Sequence, residues 1–258
     1  TGWDDLLQKL RERFVEPEPE ARRERIVSGA MAAARGTPLM MEDLVEENVY
    51  LTEWPTAVAG EFREEFLALP RPVLIAAMAH YQRFFPVESA PGELTSRFIS
   101  ISNGGDEATV RQGNEWVLNA RFNDAKFFYD EDQRHTIDEF LLRTERIVFQ
   151  EKLGTVRQRA DRIARMAALL AGQADLDDET AEHARRAGLY AKADLSTGLV
   201  SELPSLQGQI GAEYACREGF PESICRAIER HYAPDATSEE EGERLATLVM
   251  CADQSDRL

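Results

Sequence analysis

The sequence predicts a mainly α-helical protein with a smaller α+β part at its N-terminal end. Apolar residues recur at steps of three and four through most of the chain, which is typical of amphipathic helices. Short β-branched runs bounded by turn residues occur before residue 105 and indicate strands. With 258 residues the chain can bury a sizeable core, and the usual size of domains favours two modest ones.

The first predicted elements are helices. Residues 4–35 are rich in Glu, Arg, Ala and Leu, and Pro17 and Pro19 divide this pattern into two helices. A short amphipathic helix follows over 39–54, and Pro55 ends it. The chain therefore enters its first domain through three helical segments.

Strand patterns come next. The run TAVAGEF at 56–62 predicts a strand, and Pro72 stands at the first position of a mostly buried helix, VLIAAMAHYQ. The runs RFFPVE and RFISISN predict two strands around a turn at 90–93. Strand patterns stop after 103–105, so we expect a mixed α/β module over 1–105 and a helical domain over 106–258.

The segment 113–171 predicts two long helices joined by a short acidic hinge at 130–132. Residues at steps of three and four form one apolar stripe along the second helix, and they are Val156, Ala160, Ile163, Ala167 and Leu170. We expect this stripe to be the core of the C-terminal half.

Four further helices are expected after this stripe. Asp177 or Asp178 caps the first, whose apolar face is Ala184, Ala187, Ala191, Leu195 and Leu199. The second contains Leu206, Ile210 and Tyr214 and ends at Gly219, and Pro221 opens the third, with Ile224 and Ile228. The fourth begins at Ser238, with Glu241 completing a capping box.

Composition excludes several classes of protein. The formal net charge of −17 and the pI near 4.7 argue against a free-standing nucleic-acid binder, so any RNA contact must be local. Cys216, Cys225 and Cys251 are odd in number and form no C-x-x-C pair, which predicts neither a disulfide framework nor a zinc finger. A reducing cytoplasm is the expected location.

The apolar runs and the chain ends add two expectations. The longest apolar runs, such as 73–79, are too short to span a membrane, and no signal peptide opens the chain, so we expect no membrane association. The chain begins without Met and stops within a helical pattern. We therefore expect it to be a piece of a longer protein.

Three acidic or imidazole side chains form a candidate metal site. His231 follows Ile224 by seven residues and Ile228 by three, so helical spacing points it inward. Asp194 and Asp253 lie beside core positions on two other predicted helices. Carboxylate and imidazole groups suit divalent transition metals.

This arrangement resembles the HD domain, the helical metal-dependent phosphohydrolase fold, over residues 153–258. Its helices resemble RADRIARMAALLAG, RAGLYAKADL, AIERHYAP and LVMCADQSDRL. Arg159 and Ala193 stand where the resemblance implies metal-binding histidines, and a guanidinium group cannot bind a metal. We therefore expect a degenerate, catalytically silent domain without metal, in which Asp194, His231 and Asp253 are remnants. Helix capping or a salt bridge to an Arg is the alternative role of Asp194 and Asp253.

A closer resemblance spans nearly the whole chain. The patterns are Q-R-F-F-P-V at 82–87, N-E-x-V-x-x-x-R-F-x-D-A-x-F-F at 114–128 and F-Q-x-K-L-G-T at 149–155. In this order they resemble the β subunit of bacterial tetrameric glycyl-tRNA synthetase. Family members contain a degenerate HD domain, which agrees with the missing histidines.

The resemblance implies an enzyme of two α and two β subunits. Glycine, ATP and Mg are then used by the α subunit, while β supports recognition and charging of tRNA(Gly). It also implies an anticodon-binding domain beyond residue 258, so we expect this fragment to be inactive alone and to bind no cofactor itself. No Ser-His-Asp, P-loop or Rossmann pattern is present that would indicate another active site.

A local basic segment is the candidate RNA contact. Residues 143–165 contain seven basic and three acidic residues, the reverse of the overall charge. One helix face would present its arginines to phosphates, and these are Arg157, Arg159, Arg162 and Arg165. A solvated or salt-bridged face is the alternative origin of the same pattern.

Two further alternatives remain open. An aromatic cluster could stack RNA bases, although we expect core packing for it: Phe84, Phe85, Phe127, Phe128 and Tyr129. For function, the alternatives are a divergent HD-type phosphohydrolase using Asp194, His231 and Asp253, and a purely structural module that contacts the α subunit.

Overall fold

The computed structural model describes residues 2–256, and it confirms a mainly helical protein with a smaller α+β part. The chain packs into two compact units, Thr1–Lys126 and Phe127–Leu258. The division falls within helix α5 (Glu107–Asp132). The boundary that the sequence places after residue 105 stays a prediction about domains.

The first unit begins with the predicted helices. They are α1 (Trp3–Arg11), α2 (Pro19–Ala33) and α3 (Glu42–Leu51). Pro19 occupies the first turn of α2, where its missing N–H would have no helical partner. Helix α4 (Arg71–Ile75) has Pro72 in its first turn and continues into a π-helical turn at Ala76–Tyr81.

One antiparallel sheet of four strands completes this unit. Its order is β1 (Thr37–Pro38), β3 (Phe85–Ala90), β4 (Glu93–Ser102) and β2 (Thr56–Glu61). The three predicted strands are confirmed as β2, β3 and β4. Strand β1 was not expected, because two residues are too few to produce a periodic pattern.

The core of the first unit lies between α2, α3 and the sheet. Its buried members are Ile26, Ala30, Leu44, Val45, Val49, Ala79, Phe85, Val87 and Ile99. Gly60 of β2 lies opposite Phe98 of β4, and a Cβ atom at Gly60 would be 2.4 Å from Phe98 Cζ. The phenyl ring therefore occupies the space that a side chain at position 60 would need.

The segment between α5 and α7 (Val156–Gln173) corrects the prediction of two helices joined only at 130–132. It contains α6 (Ile137–Arg143), a 3₁₀ turn and a two-stranded hairpin of β5 (Val148–Gln150) and β6 (Gly154–Thr155). Gly154 has φ 84°, a conformation that favours glycine and turns the chain back. Strands this short produce no pattern that competes with the helical periodicity around them.

The second unit is a bundle of helices. After α7 come α8 (Asp178–Tyr190), α9 (Gly198–Glu202), α10 (Gln209–Arg217), α11 (Glu222–Arg230) and α12 (Glu241–Ser255). Helix α12 packs against α7, α8 and α11. Gly188 lets α7 and α8 approach closely, because a Cβ atom there would lie 3.1 Å from Ala164 Cα. The predicted stripe on α7 forms part of this core, with Ala160, Ile163 and Ala167 fully buried.

Helix boundaries in this unit match the prediction at some positions and correct it at others. Asp177 caps α8 by accepting a hydrogen bond from Thr180 N, as predicted. The predicted face that continues to Leu199 is wrong, because α8 ends at Tyr190 and a 3₁₀ turn follows at Ala193–Ser196. The start of α12 at Ser238 is also wrong, since the helix begins at Glu241 and no side chain caps it.

The cysteines give a further correction. Cys216 of α10 and Cys225 of α11 form a disulfide, with their Cα atoms 5.7 Å apart, and Cys251 is free and exposed. Two cysteines nine residues apart gave no sequence pattern for this pairing. Their proximity depends on the packing of α10 against α11.

None of the helices in residues 2–256 has both the length and the apolar character needed to cross a bilayer.

Candidate functional site

Five charged or imidazole side chains are buried together in the second unit. We call them the buried charged cluster, and they are Arg159, Lys192, Asp194, His231 and Asp253. They come from α7, the turn after α8, the end of α11 and α12. The predicted inward direction of the two aspartates and the histidine agrees with their burial. The cluster additionally contains two cations.

Asp253 lies between the two cations of the cluster, Arg159 and Lys192. Its Oδ1 atom lies 2.6 Å from Arg159 Nη2, and its Oδ2 atom lies 3.2 Å from Lys192 Nζ. The Arg159 guanidinium group also stacks over the Phe149 ring, 3.8 Å from its centroid. A salt bridge to an Arg, the alternative role considered for Asp253, is the contact found here.

His231 is bound through both ring nitrogens. Its Nδ1 atom lies 2.7 Å from the carbonyl oxygen of Ile228, which assigns the proton to Nδ1 and leaves the lone pair on Nε2. Lys192 Nζ donates to this Nε2 atom over 2.8 Å. Burial and the Lys192 charge lower the pKa of His231 to about 3, so the ring is neutral near pH 7.

Asp194 holds the backbone turn that precedes α10. Its Oδ2 atom accepts hydrogen bonds from Gly208 N over 2.6 Å and from Gly211 N over 3.1 Å. A Cβ atom at Gly211 would lie 3.2 Å from this oxygen, so glycine permits the contact. Its Oδ1 atom is buried and has no hydrogen-bond partner among residues 2–256. Burial raises the pKa of Asp194 to about 6.

Lys192 is the residue of this cluster that the sequence did not single out. Its side chain is only 2% exposed, and burial lowers its pKa to about 8, although Asp253 opposes this shift. Spacing along α8 gave no signal for it, because the helix ends at Tyr190 and Lys192 directly precedes the 3₁₀ turn. A Lys at such a position is ordinarily expected to extend to solvent.

The cluster does not fit the divalent metal that the HD resemblance implies. The Nε2 lone pair of His231 and both carboxylate oxygens of Asp253 are directed at cationic groups of the protein. Among residues 2–256, no three His, Cys, Asp or Glu side chains are grouped in a way that could hold a metal ion. The arrangement is therefore that of a buried ion-pair network.

A second candidate site is a groove on the surface of this unit. It has a volume of about 730 Å³ and lies among α7, α8 and the β5–β6 hairpin. We call it the basic groove, since its charged lining contains two acids, Glu151 and Asp161, and five cations: Lys152, Arg157, Arg162, Arg165 and Arg185. The local excess of positive charge suits a polyanion.

Its arginines differ in how far they are already paired. Arg157 forms an ion pair with Asp161, Arg162 with Asp256, and Arg185 with Glu182. Arg165 is exposed, and within residues 2–256 no ion-pair partner is found for it. It is therefore the arginine most available to an incoming phosphate.

The predicted RNA-contacting arginines do not all lie in this groove. Arg157, Arg162 and Arg165 line it, whereas Arg159 is 7% exposed and belongs to the buried charged cluster. We therefore leave Arg159 out of the candidate surface. Lys152 and Arg185 join the groove through the hairpin and α8, which a pattern along α7 could not indicate.

The predicted aromatic cluster also contains both buried and exposed side chains. Phe84 and Phe85 are buried, as expected for core packing. Phe127 is 64% exposed and meets Phe128 edge to face. Core packing is therefore the wrong prediction for Phe127.

Comparison with known proteins gives one consistent family. The sequence matches the family model described as glycyl-tRNA synthetase beta subunit over residues 1–258. It is 40% identical to the glycine–tRNA ligase beta subunit of Acaryochloris marina over 98% of this chain and 37% of that protein. It is 38% identical to the protein of the same name from Bacillus subtilis, over 97% of this chain and 38% of that protein.

A third relative is similar. The glycine–tRNA ligase beta subunit of Listeria monocytogenes serotype 4a is 39% identical over 98% of this chain and 38% of that protein. The chain thus spans a little over a third of the length of the curated relatives it matches.

Proposed function

This chain belongs to the glycyl-tRNA synthetase beta-subunit family, and we propose that it is a non-catalytic part of a glycine–tRNA ligase that supports recognition and aminoacylation of tRNA(Gly). The observation that supports the proposal is the family match over residues 1–258, at 38–40% identity to three curated relatives. Because the chain spans a little over a third of these relatives, activity belongs to the whole enzyme.

The proposal includes the partners of the whole enzyme. A separate α subunit activates glycine with ATP and Mg, and two α and two β subunits form a tetramer in the cytoplasm. This fragment binds no cofactor of its own and positions tRNA(Gly). The family to which the chain belongs supports these partners, since the names of its relatives describe a beta subunit of a glycine–tRNA ligase.

The second unit is, in the same proposal, a degenerate HD-like domain. Its support is the helical bundle in which Asp194, His231 and Asp253 meet in one buried cluster. The phosphohydrolase alternative is not supported, because the family match names a tRNA ligase subunit and the cluster holds Arg159 and Lys192 at the carboxylate and imidazole groups.

The basic groove is the proposed RNA contact. Guanidinium groups bind phosphates through two parallel hydrogen bonds, and each neutralised phosphate releases counterions. A chain with net charge −17 repels RNA over most of its surface, so a local concentration of cations determines where the backbone can approach. Arg165 is the best single residue to test because its charge is not already neutralised by a carboxylate in the described part of the chain.

The experiment uses the complete beta subunit with its α partner, as wild type, Arg165→Ala and Lys152→Ala/Arg165→Ala. We expect tRNA(Gly) affinity to fall by about 3-fold in the single and about 10-fold in the double variant. The slope of log affinity against log salt should decrease by about one per lost phosphate contact. Formation of glycyl-adenylate without tRNA should stay unchanged, since that step is assigned to the α subunit.

Arg134→Ala is the matched control. Arg134 is an exposed arginine of the same unit that lies outside the groove and pairs with Glu131. We expect its variant to bind tRNA as tightly as wild type. Equal affinity and equal salt slope for wild type and both groove variants would contradict the RNA role and favour a structural module that contacts only the α subunit.

A further inference from the structure

We propose that the Lys192 ammonium group is the built-in cation of the buried charged cluster, and that it occupies the place that a divalent ion would take between an aspartate and a histidine. The inference concerns the interior of the second unit and does not depend on RNA binding. In this inference Lys192 positions His231 and Asp253, the two side chains that would have no role in an HD-like domain without metal.

The contacts of Lys192 Nζ are those of a bound cation. The atom lies 2.8 Å from His231 Nε2 and 3.2 Å from Asp253 Oδ2, and it is 3.9 Å from the centroid of the Tyr232 ring. A neutral imidazole nitrogen, a carboxylate oxygen and an aromatic face all attract positive charge. One ammonium group therefore satisfies the same imidazole and carboxylate atoms that a metal would need as ligands.

The charges around the cluster already balance with Lys192 in place. The basic side chains are Arg159, Arg162 and Lys192, and the acidic ones are Asp194, Asp253 and Asp256, so each sign is represented three times. A dication added to this set would leave uncompensated positive charge beside the Arg159 guanidinium group. Loss of Lys192 would leave uncompensated negative charge in a buried region, which is costly.

A tethered cation differs from a metal in one testable respect. Because the ammonium group belongs to the chain, the cluster is complete in any buffer and neither chelators nor metal ions should alter its stability. A metal site with the same ligands would instead be stabilised by its ion in proportion to the ion concentration.

The first test is metal content and metal dependence of the complete beta subunit that contains this chain. After dialysis against Mn²⁺, Fe²⁺ or Zn²⁺ and removal of free ions, mass spectrometry should find far less than one ion per chain. The thermal midpoint should be the same with the ion and with a chelator. Stoichiometric metal that is lost in Asp253→Asn would overturn the proposal, since the metal and the ammonium group cannot share one position.

The second test is a double-mutant cycle with Lys192→Met, Asp253→Asn and the combination. Lys192→Met keeps the length of the side chain but removes its charge, and we expect the thermal midpoint to fall by about 5–15 °C. Arg159 still contacts Asp253 when Lys192 is lost, but the cluster then carries one negative charge in excess. Because Asp253→Asn removes that excess charge, the combined variant should be less destabilised than the sum of the two single variants.

Lys9→Met serves as the matched control. Lys9 forms an exposed ion pair with Asp5, and its variant should keep the wild-type midpoint within about 1 °C. Additive losses in the cycle would show that Lys192 packs without acting as the partner of Asp253, and would overturn the proposal. A midpoint of Lys192→Met equal to that of wild type would do the same. If a variant does not fold, stoichiometric metal in the wild type still overturns the proposal.

Discussion

At the scale of single residues, buried carboxylates in the second unit are held by cations and by backbone N–H groups. Glu243 of α12 is 2% exposed and accepts from Asp235 N over 2.8 Å, from Arg226 over 2.9 Å and from Arg230 over 3.2 Å. Burial alone would raise the pKa of Glu243, but the Asp235 N–H and the two guanidinium groups lower it below its ordinary value. The ionised form is therefore the one that stabilises the fold.

Glu243→Gln should lower the free energy of unfolding by about 1–3 kcal/mol near pH 7, because the amide cannot replace a carboxylate between two guanidinium groups. The sign of its pH dependence follows from the lowered pKa. The contribution of Glu243 is complete above the ordinary Glu value of 4.5 and is lost as the pH falls through the lower value of the folded state. Denaturant unfolding of wild type and variant at pH 7 and near pH 3.5 checks this expectation.

Glu229→Gln is the control for that measurement. Glu229 pairs with the same Arg226 but is 39% exposed, so its variant should differ from wild type by less than about 0.5 kcal/mol. A difference for Glu243→Gln that grows on acidification would contradict the assignment of a stabilising carboxylate.

At the scale of elements, the ends of helices in the second unit depend on side chains that only partly follow sequence patterns. Thr155 and Gln158 form a capping box at the start of α7, where Gln158 N donates to Thr155 Oγ1 and Thr155 N donates to Gln158 Oε1. Ser238 belongs to the same type of sequence pattern, yet α12 begins three residues later. A capping pattern is therefore not sufficient, since the backbone before the helix must also place the hydroxyl group over the first turn.

Thr155→Ala should lower the free energy of unfolding by about 1 kcal/mol, because it leaves one N–H group of α7 without its acceptor. Ser238→Ala should have an effect below about 0.5 kcal/mol, since within residues 2–256 the Ser238 hydroxyl group accepts only from Glu240 N, which precedes the helix. Chemical denaturation of the two variants with unchanged m-values measures both effects. Equal losses for the two variants would show that α12 also depends on a side-chain cap.

At the scale of the whole molecule, the dominant physical property is the excess of acidic residues. The sequence has 47 acidic and 30 basic residues. Most of these charges are exposed and repel one another through water, which opposes the compact state. The basic groove is a local exception to this field, so charge placement rather than net charge determines where a polyanion could approach.

Screening should therefore stabilise the chain. Raising NaCl from about 10 mM to about 150 mM shortens the Debye length from about 30 Å to about 8 Å, and we expect the thermal midpoint to rise by about 2–5 °C. KCl at equal ionic strength should produce the same rise, because screening does not depend on the identity of the ion. A midpoint that falls with salt would mean that the ion pairs contribute more than the net repulsion costs.

The sequence by itself determined the helical and extended periodicities and the family. Strands β2, β3 and β4, the first helices and the apolar stripe of α7 follow from local patterns of apolar residues and prolines. The inward direction of His231 and Asp253 also followed from helical spacing. The family followed from three ordered motifs spread over the chain. Each of these properties is encoded by residues close together in the chain or by an ordered pattern of letters.

Only the tertiary structure decided which side chains meet. Arg159 is 33 residues from Lys192 and 94 residues from Asp253 along the chain. No local pattern relates positions this far apart. The pairing of Cys216 with Cys225 and the contribution of Arg185 to the basic groove likewise depend on which helices pack together. The physical reason is that burial makes a charge costly unless an opposite charge is brought to it, and packing between helices determines which charge that is.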